Sequence, residues 1–566
     1  MKEKINHTGG TLLIALVKET DARKLEYLLK QLPAAGYNSF NELLQLHDQL
    51  LFFCAFPINA KILKLADEGL HAITKTASTP RRGKIKWDLS TSGFPGSAIT
   101  CSFSNRLANW LIGRFPGHIV LAQSDASAEV VRNCLQALCP SIEFEQTTQR
   151  ELNLVTRLKS LSGKRDAGEL LHWLLKLFEE SGLTAETKEI LFTNLNVYLK
   201  WTLNDPLFNR SFLRIPVKRF FFQEGFIRQV DRRSIVKLKT GASLTLDINQ
   251  KRHILDSMKA SLAFLYRETD PVTYADENEL VCFDMGRGLQ ISLIGMERGH
   301  RLALESYVGF MAFKNGVPVS YGGGWLFGHQ CKIGVNILPA FRKGESAWLF
   351  CQVMRLYAQY TGARTFIVKP YQFGKGNPEG IASGAFWFYY KLGFRPVNEK
   401  INQEATKEWE KIVADRKYRT SPAQLKHFAT ANLAWNAFEN PLPFIDTGLL
   451  SKTITRQINE RFGGSRDKAI RHGLSVMRKE LGLQPKNTLQ PGIQKLLESW
   501  AILIIMIPGL PSWPKIQKKQ LVRLMEAKWS GAEIDYVRQL QQHTFLWKAM
   551  LELSGNIATR NYYKGS

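Results

Sequence analysis

The sequence predicts a multidomain α/β protein, on three observations. Its 566 residues are too many for one compact core and correspond to roughly three or four domains. Its composition, 44% hydrophobic and 22% charged, is that of a folded chain and excludes extensive disorder. Short β-branched runs alternate with stretches of helical periodicity along much of its length. Composition shifts and turn-rich breaks divide it into a small α/β unit (1–150), a helical region with a basic aromatic segment (151–245), a central mixed-sheet domain (246–400) and a helical carboxyl-terminal region (401–566).

In chain order, Ala98 to Ser104, His118 to Ala122 and Ser141 to Glu145 carry strand signals, and Asn105 to Ile112 and Ser127 to Leu138 carry helical ones. The turn at Ser102-Phe-Ser-Asn105 lacks the glycines of a dinucleotide fingerprint, so this unit reads as a scaffold or partner-binding layer. Residues 151 to 205 read as helical, with a linker at Lys159 to Asp166 and a core stripe through Leu170, Leu171, Leu174, Leu175 and Phe178.

Ile254 to Glu268 has apolar residues at helical spacing. Arg301 to Tyr321 is two β-rich runs joined at Lys314-Asn315-Gly316, a strong hairpin signal, and Gly322-Gly-Gly324 then interrupts the pattern as a loop, a bulge or a close backbone approach to a ligand. Cys331 to Ile337 suits a buried strand, Leu338 to Ala347 turns into an amphipathic helix, Thr365 to Lys369 is a second strand, and an aromatic helix ends at Lys391-Leu-Gly-Phe394. Asn402 to Lys417, Ser421 to Phe438 and Gly492 to Ile504 read as further helices, with breaks at Pro441-Leu-Pro443 and Gly463-Gly-Ser465.

The turn entering the Glu345 helix is suited to a diphosphate. The first four backbone N–H groups of a helix have no intrahelical partner and lie at the positive end of its dipole. Gly344 permits close approach there, and Arg342 and Lys343 add full charges. Glu345 stands against this, because a carboxylate beside a phosphate repels it.

With this strand–turn–helix–strand–helix order, and Tyr389-Tyr-Lys-Leu-Gly-Phe394 at its close, the stretch resembles the GNAT (Gcn5-related N-acetyltransferase) superfamily over roughly residues 250 to 400. The family loop Gln/Arg-x-x-Gly-x-Gly/Ala is matched at Gly344 and by Ser346 in the last place, with Phe341 where Gln or Arg is usual. Ala385, Tyr389, Gly393 and Phe394 fall on the family's second motif, with Ala382 in place of its asparagine.

The resemblance implies a central GNAT-like mixed sheet flanked by helices, with acetyl-CoA or another acyl-CoA as co-substrate. Arg342, Lys343, Gly344, Glu345, Ser346 and Ala347 would hold the pyrophosphate. Val335, Asn336 and Ile337 would hold the pantetheine arm, with the N–H groups of Val335 and Asn336 stabilising the oxyanion. Tyr389, with Tyr390 in reserve, would protonate the departing thiolate. Glu305 or His329 would take the proton of the attacking amine, and the acceptor is unspecified.

The formal net charge of +26 favours a polyanionic partner. The densest basic stretch, Arg210 to Lys239, interleaves nine cations with phenylalanines, a pattern that suits RNA or another polyanion but equally a core with a solvated face. Further basic stretches run from Arg456 to Lys479 and from Lys515 to Arg523. The seven cysteines show no zinc or disulfide spacing, which fits a reducing cytoplasm.

Neither Thr11 to Val17 nor Trp500 to Ile507 is long enough to serve as a signal peptide or bilayer span. Two other function classes stand beside the acyl-CoA transferase. One is an aminoacyl-tRNA-dependent transferase of the tandem-GNAT type, and the other is a catalytically silent GNAT fold that serves as a binding module.

Overall fold

The structure is a computed structural model that describes the chain except for residues 1–8, 20, 33–36, 38, 79–87, 91, 146–151, 240, 416, 439–443, 484–490 and 556–566. The boundary at 150/151 and the break at Pro441 to Pro443 lie outside the described residues.

The fold is mixed α/β, with two sheets among the described residues. The smaller is antiparallel, in the order β1 (Ala98–Ser102), β3 (Val197–Thr202), β2 (Ile119–Ser124). Helices cover it around its own core of Ile99, Leu171, Leu174, Leu199 and Trp201. Ser141–Glu145 is a short helix and not a strand. The expected linker is shorter than Lys159 to Asp166, because one helix runs on to Ser162 and ends at left-handed Gly163, and Asp166 caps the next.

The larger sheet has nine strands: β4 (Ala242–Ser243), β5 (Val281–Asp284), β6 (Leu289–Ile294), β7 (Ser306–Lys314), β8 (Val317–Phe327), β9 (Gln330–Ile337), β10 (Thr365–Val368), β11 (Arg395–Pro396) and β12 (Leu433–Asn436). Their order across the sheet is β4-β5-β6-β7-β8-β9-β10-β12-β11. Every pairing is antiparallel except β9 with β10. That parallel pair needs a crossover, which the helix between them supplies.

Four helices frame this sheet: α1 (Phe40–Ala55), α2 (Ile248–Ala263), α3 (Ser346–Thr361) and α4 (Ala385–Lys391). Asp247 and Gln250 form a capping box that starts α2 six residues before the apolar stripe begins. The glycines at 322 to 324 do not break the strand. They let β8 pass beneath aromatic rings: a Cβ on Gly324 would lie 2.6 Å from the ring of Tyr357 on α3.

The carboxyl-terminal region is helical and includes α5 (Arg466–Leu481), α6 (Lys515–Trp529) and α7 (Thr544–Leu553). One exception corrects the helix expected over Ser421 to Phe438. That helix stops at Phe428, and Leu433-Ala-Trp-Asn436, with Leu433 and Trp435 buried, inserts as β12 between β10 and β11. A buried ion cluster ties the helices to the sheet. Arg301 pairs with Glu279 and with Glu533 (2.9 Å), and Lys528 pairs with Glu533 (2.6 Å) and donates to the Glu305 carbonyl.

Candidate functional site

The β9–β10 ladder covers only Gln330 to Lys332 against Thr365 to Ile367, so β9 runs on from Ile333 to Ile337 without a partner on that side. Which amides face the opening follows from strand alternation. The Leu338 N–H donates to the Val319 carbonyl (3.0 Å), so the Asn336 N–H also points to β8 and the N–H groups of Val335 and Ile337 point to the gap. Of the two expected oxyanion donors, Val335 is therefore on the open side. Asn336 is in the β8 ladder, and the Ile337 N–H is the other amide on the open side.

The gap is narrow. Gln372, in the single turn Pro370–Phe373 after β10, lays its side-chain amide against Gly334, 3.0 Å from where a Cβ would stand. Arg342 lies beside the opening, donating to the Ile337 carbonyl (3.3 Å) and pairing with Glu379 (2.7 Å), both partners of that pair being more than half exposed.

The turn into α3 is built around Glu345, which does not face outward. Its buried carboxylate accepts from the Ile227 N–H (3.0 Å), Gln223 Nε2 (3.0 Å), Arg287 Nη2 (2.8 Å) and Lys314 Nζ (3.3 Å). Burial pushes its pKa up, but these donors outweigh that and hold it below the usual carboxylate range. Burial also brings Lys314 down to about 8, against the pull of Glu345.

Because Glu345 turns inward, no side chain caps α3, and the exposed Arg342 and Lys343 flank its first turn with Ser346 and Ala347. Gly344 permits a close approach of a different kind from the expected one. Its missing Cβ leaves room for the Phe56 ring, 2.8 Å from where that atom would be. On the inner side, the space among Phe56, Lys314, Glu345 and Trp348 is about 10 Å³, no more than one water. Any phosphate must therefore bind on the outer face.

Tyr389, on α4, is buried among Phe350, Phe373, Phe388 and Phe394. Burial raises its pKa and keeps the phenol protonated. Phe373 follows Gln372, so the ring belongs to the end of the sheet where β9 and β10 part. Tyr390 instead meets Thr406 (3.2 Å) on the far side of the helix.

The two expected bases lie elsewhere. His329 sits in the β8–β9 turn, seven residues from Asn336 and roughly 23 Å away along the strand, with Nδ1 3.0 Å from the Gly362 carbonyl. Glu305 precedes β7 at that same end, because Ser306 pairs with Leu326, and its carboxylate is taken up by Lys332 and Thr447. Neither reaches the gap.

The basic aromatic segment runs as a strap that engages some of its cations and leaves others outward. Arg210 pairs with Asp48 (2.6 Å), Arg214 with Asp67 (3.3 Å), and Arg228 donates to the carbonyls of Lys343 and Gly344 (2.9 and 3.1 Å). Phe221 is clamped by Asn315 through two hydrogen bonds, while Lys218, Arg219, Arg228, Arg233, Lys237 and Lys239 remain exposed, as do Phe220 and Phe222.

Residue pattern alone missed Lys314, Arg287, Gln223 and Gln372. Lys314 carried a signal, as a lysine directly before an Asn-Gly turn, but nothing local distinguishes a buried one. Comparison of the chain with protein families, curated proteins and solved structures found no match.

Proposed function

We propose that this chain is an acyl-CoA-dependent N-acyltransferase of the GNAT type, transferring an acyl group, acetyl in the simplest case, to an amine. One observation carries the reading: a parallel strand pair parts after three residues, and the uncapped first turn of α3 follows the parted strand. Strand-edge amides and helix N-terminal amides then serve a single elongated ligand, its amide-rich arm beside Val335 and Ile337 and its diphosphate at Ser346 and Ala347, with Arg342 and Lys343 as counter-charges. Gln372 would have to swing aside, a rotamer change of one side chain.

In the reaction the neutral amine nitrogen would attack the thioester carbon, the carbon–sulfur bond would break, and the nitrogen's extra proton would pass through water to the Tyr389 phenolate left once the thiolate is protonated. The Val335 N–H, with Ile337 beside it, would bond the oxygen as charge develops. Tyr389 would give its proton to the leaving thiolate; burial keeps the phenol protonated for this but also makes it a weaker acid. With Glu305 and His329 at the other end of the sheet, the chain brings no carboxylate or imidazole from the expected set to deprotonate the amine. The reading therefore favours an acceptor already largely neutral near pH 8, such as an α-amino group, over a lysine side chain.

The second reading, a silent binding module, is favoured by Gln372 lying over Gly334 on the parted strand and by the distance of Glu305 and His329 from the gap. Two assays on the full chain separate the two: thermal melting with acetyl-CoA, and release of free thiol across a panel of amines. Transfer requires both a raised melting point and thiol release with at least one amine. A raised melting point without turnover supports the binding module, and no response in either assay rejects both.

A further inference from the structure

We infer that the carboxyl-terminal helices form a docking face for an anionic bilayer surface. Lys515, Lys519 and Arg523 recur at four-residue spacing on α6, all exposed and without an ion-pair partner among the described residues. Ile516 lies on the same turn and is 59% exposed. Trp513, three residues earlier, touches the ring of Phe545 at the start of α7 (5.6 Å), and Phe545 is itself 39% exposed with the exposed Lys548 one turn on. The His543 ring bonds the Gln517 carbonyl (3.1 Å), which holds α7 against the first turn of α6 and makes these side chains one surface.

Charge at this surface is mostly positive, with the exposed Glu552 at the far end of the α7 face beyond Lys548. Glu480, at the end of α5, is neutralised by Lys518 (2.9 Å), and that contact brings the exposed Arg478 and Lys479 alongside. Glu526, a turn beyond Arg523, is the exposed acid nearest the stripe on α6. Such a field complements anionic headgroups.

A polyanion without an apolar phase would reward the cations alone. The exposed isoleucine among them has no flat face for a nucleic-acid base, whereas an aliphatic side chain and an aromatic pair between lysines match the headgroup–acyl boundary. Among the described residues no helix is long and apolar enough to cross a membrane, so the contact is peripheral.

The test is co-sedimentation of the full chain with vesicles of phosphatidylglycerol in phosphatidylcholine, with phosphatidylcholine alone, and with bulk tRNA as competitor. Binding is expected to the anionic vesicles only, and to weaken with salt. Lys515→Gln/Lys519→Gln/Arg523→Gln should weaken partitioning about five-fold per cation, on the order of a hundred-fold in all. Ile516→Ser/Phe545→Ser should weaken it with charge unchanged, and Lys515→Arg/Lys519→Arg should retain it, which separates charge loss from misfolding. Wild-type protein that stays in the supernatant overturns the proposal. So does a triple variant that binds as wild type does, or tRNA binding that depends on these residues while vesicle binding does not.

Discussion

Replacing Glu345 by glutamine should destabilise the protein by about 3–5 kcal/mol, the usual cost of breaking a buried ion pair from one side. Both side chains of the Glu345–Lys314 pair are 2% exposed, so water cannot take over when the carboxylate is lost. The carboxamide also turns one of two accepting oxygens into a donor, facing a site where Ile227, Gln223, Arg287 and Lys314 all donate. Lys314 would remain among Phe56, Phe221 and Trp348 with no counter-charge, although the rings recover a small part through their faces.

The assay is equilibrium urea unfolding of Glu345→Gln, Lys314→Met and the double variant. Removing both charges should recover most of the loss, leaving a coupling of at least about 2 kcal/mol. A loss below about 1 kcal/mol for Glu345→Gln, or strictly additive effects, would refute the idea that this pair fixes the turn.

Three further outcomes follow from the same geometry. Tyr389→Phe should lower the rate of transfer and leave coenzyme affinity nearly unchanged, read from kcat against a directly measured Kd, because in the proposed reaction the hydroxyl would act only as the thiolate leaves. Glu279 is pushed up to about 7 by burial against the pull of Arg301, so the folded state binds its proton more tightly than the unfolded state does. The stability it contributes is full below about 4.5 and is lost as pH rises through 7, up to roughly 3 kcal/mol, and urea unfolding of Glu279→Gln across that window should show the slope reduced. Gly324→Ala should cost about 1–3 kcal/mol by forcing a methyl to within 2.6 Å of the Tyr357 ring and 2.7 Å of Cys331 Sγ, measured by thermal or urea unfolding.

How much of this was legible in the residues depended on whether the signal was local. The hairpin at Asn315-Gly316 was, since both residues adopt the positive φ that an Asn-Gly turn uses. The strand, turn and helix from Cys331 to Thr361 were legible for the same reason, as was the helical carboxyl-terminal region. β12 was not, because Leu433-Ala-Trp-Asn436 is too short for its period of two to stand out after a helix, and only its place between β10 and β11 makes it a strand.

At the site, sequence order placed Val335, the α3 turn and Tyr389 together. It gave no register, and register is what sends the Asn336 amide to β8 and His329 to the opposite end of β9. Glu345 was read as an acid at a helix start, where the structure turns it inward onto Lys314, a partner 31 residues away.

Calorimetric titration with acetyl-CoA tests most directly the proposal that the outer face of the α3 turn grips a coenzyme. Wild-type protein should bind one equivalent, and Arg342→Glu/Lys343→Glu should weaken binding at least about ten-fold, since each charged contact is worth about 1.5–3 kcal/mol. No heat of binding in the wild type, or equal affinity in the charge-reversed variant, would contradict it.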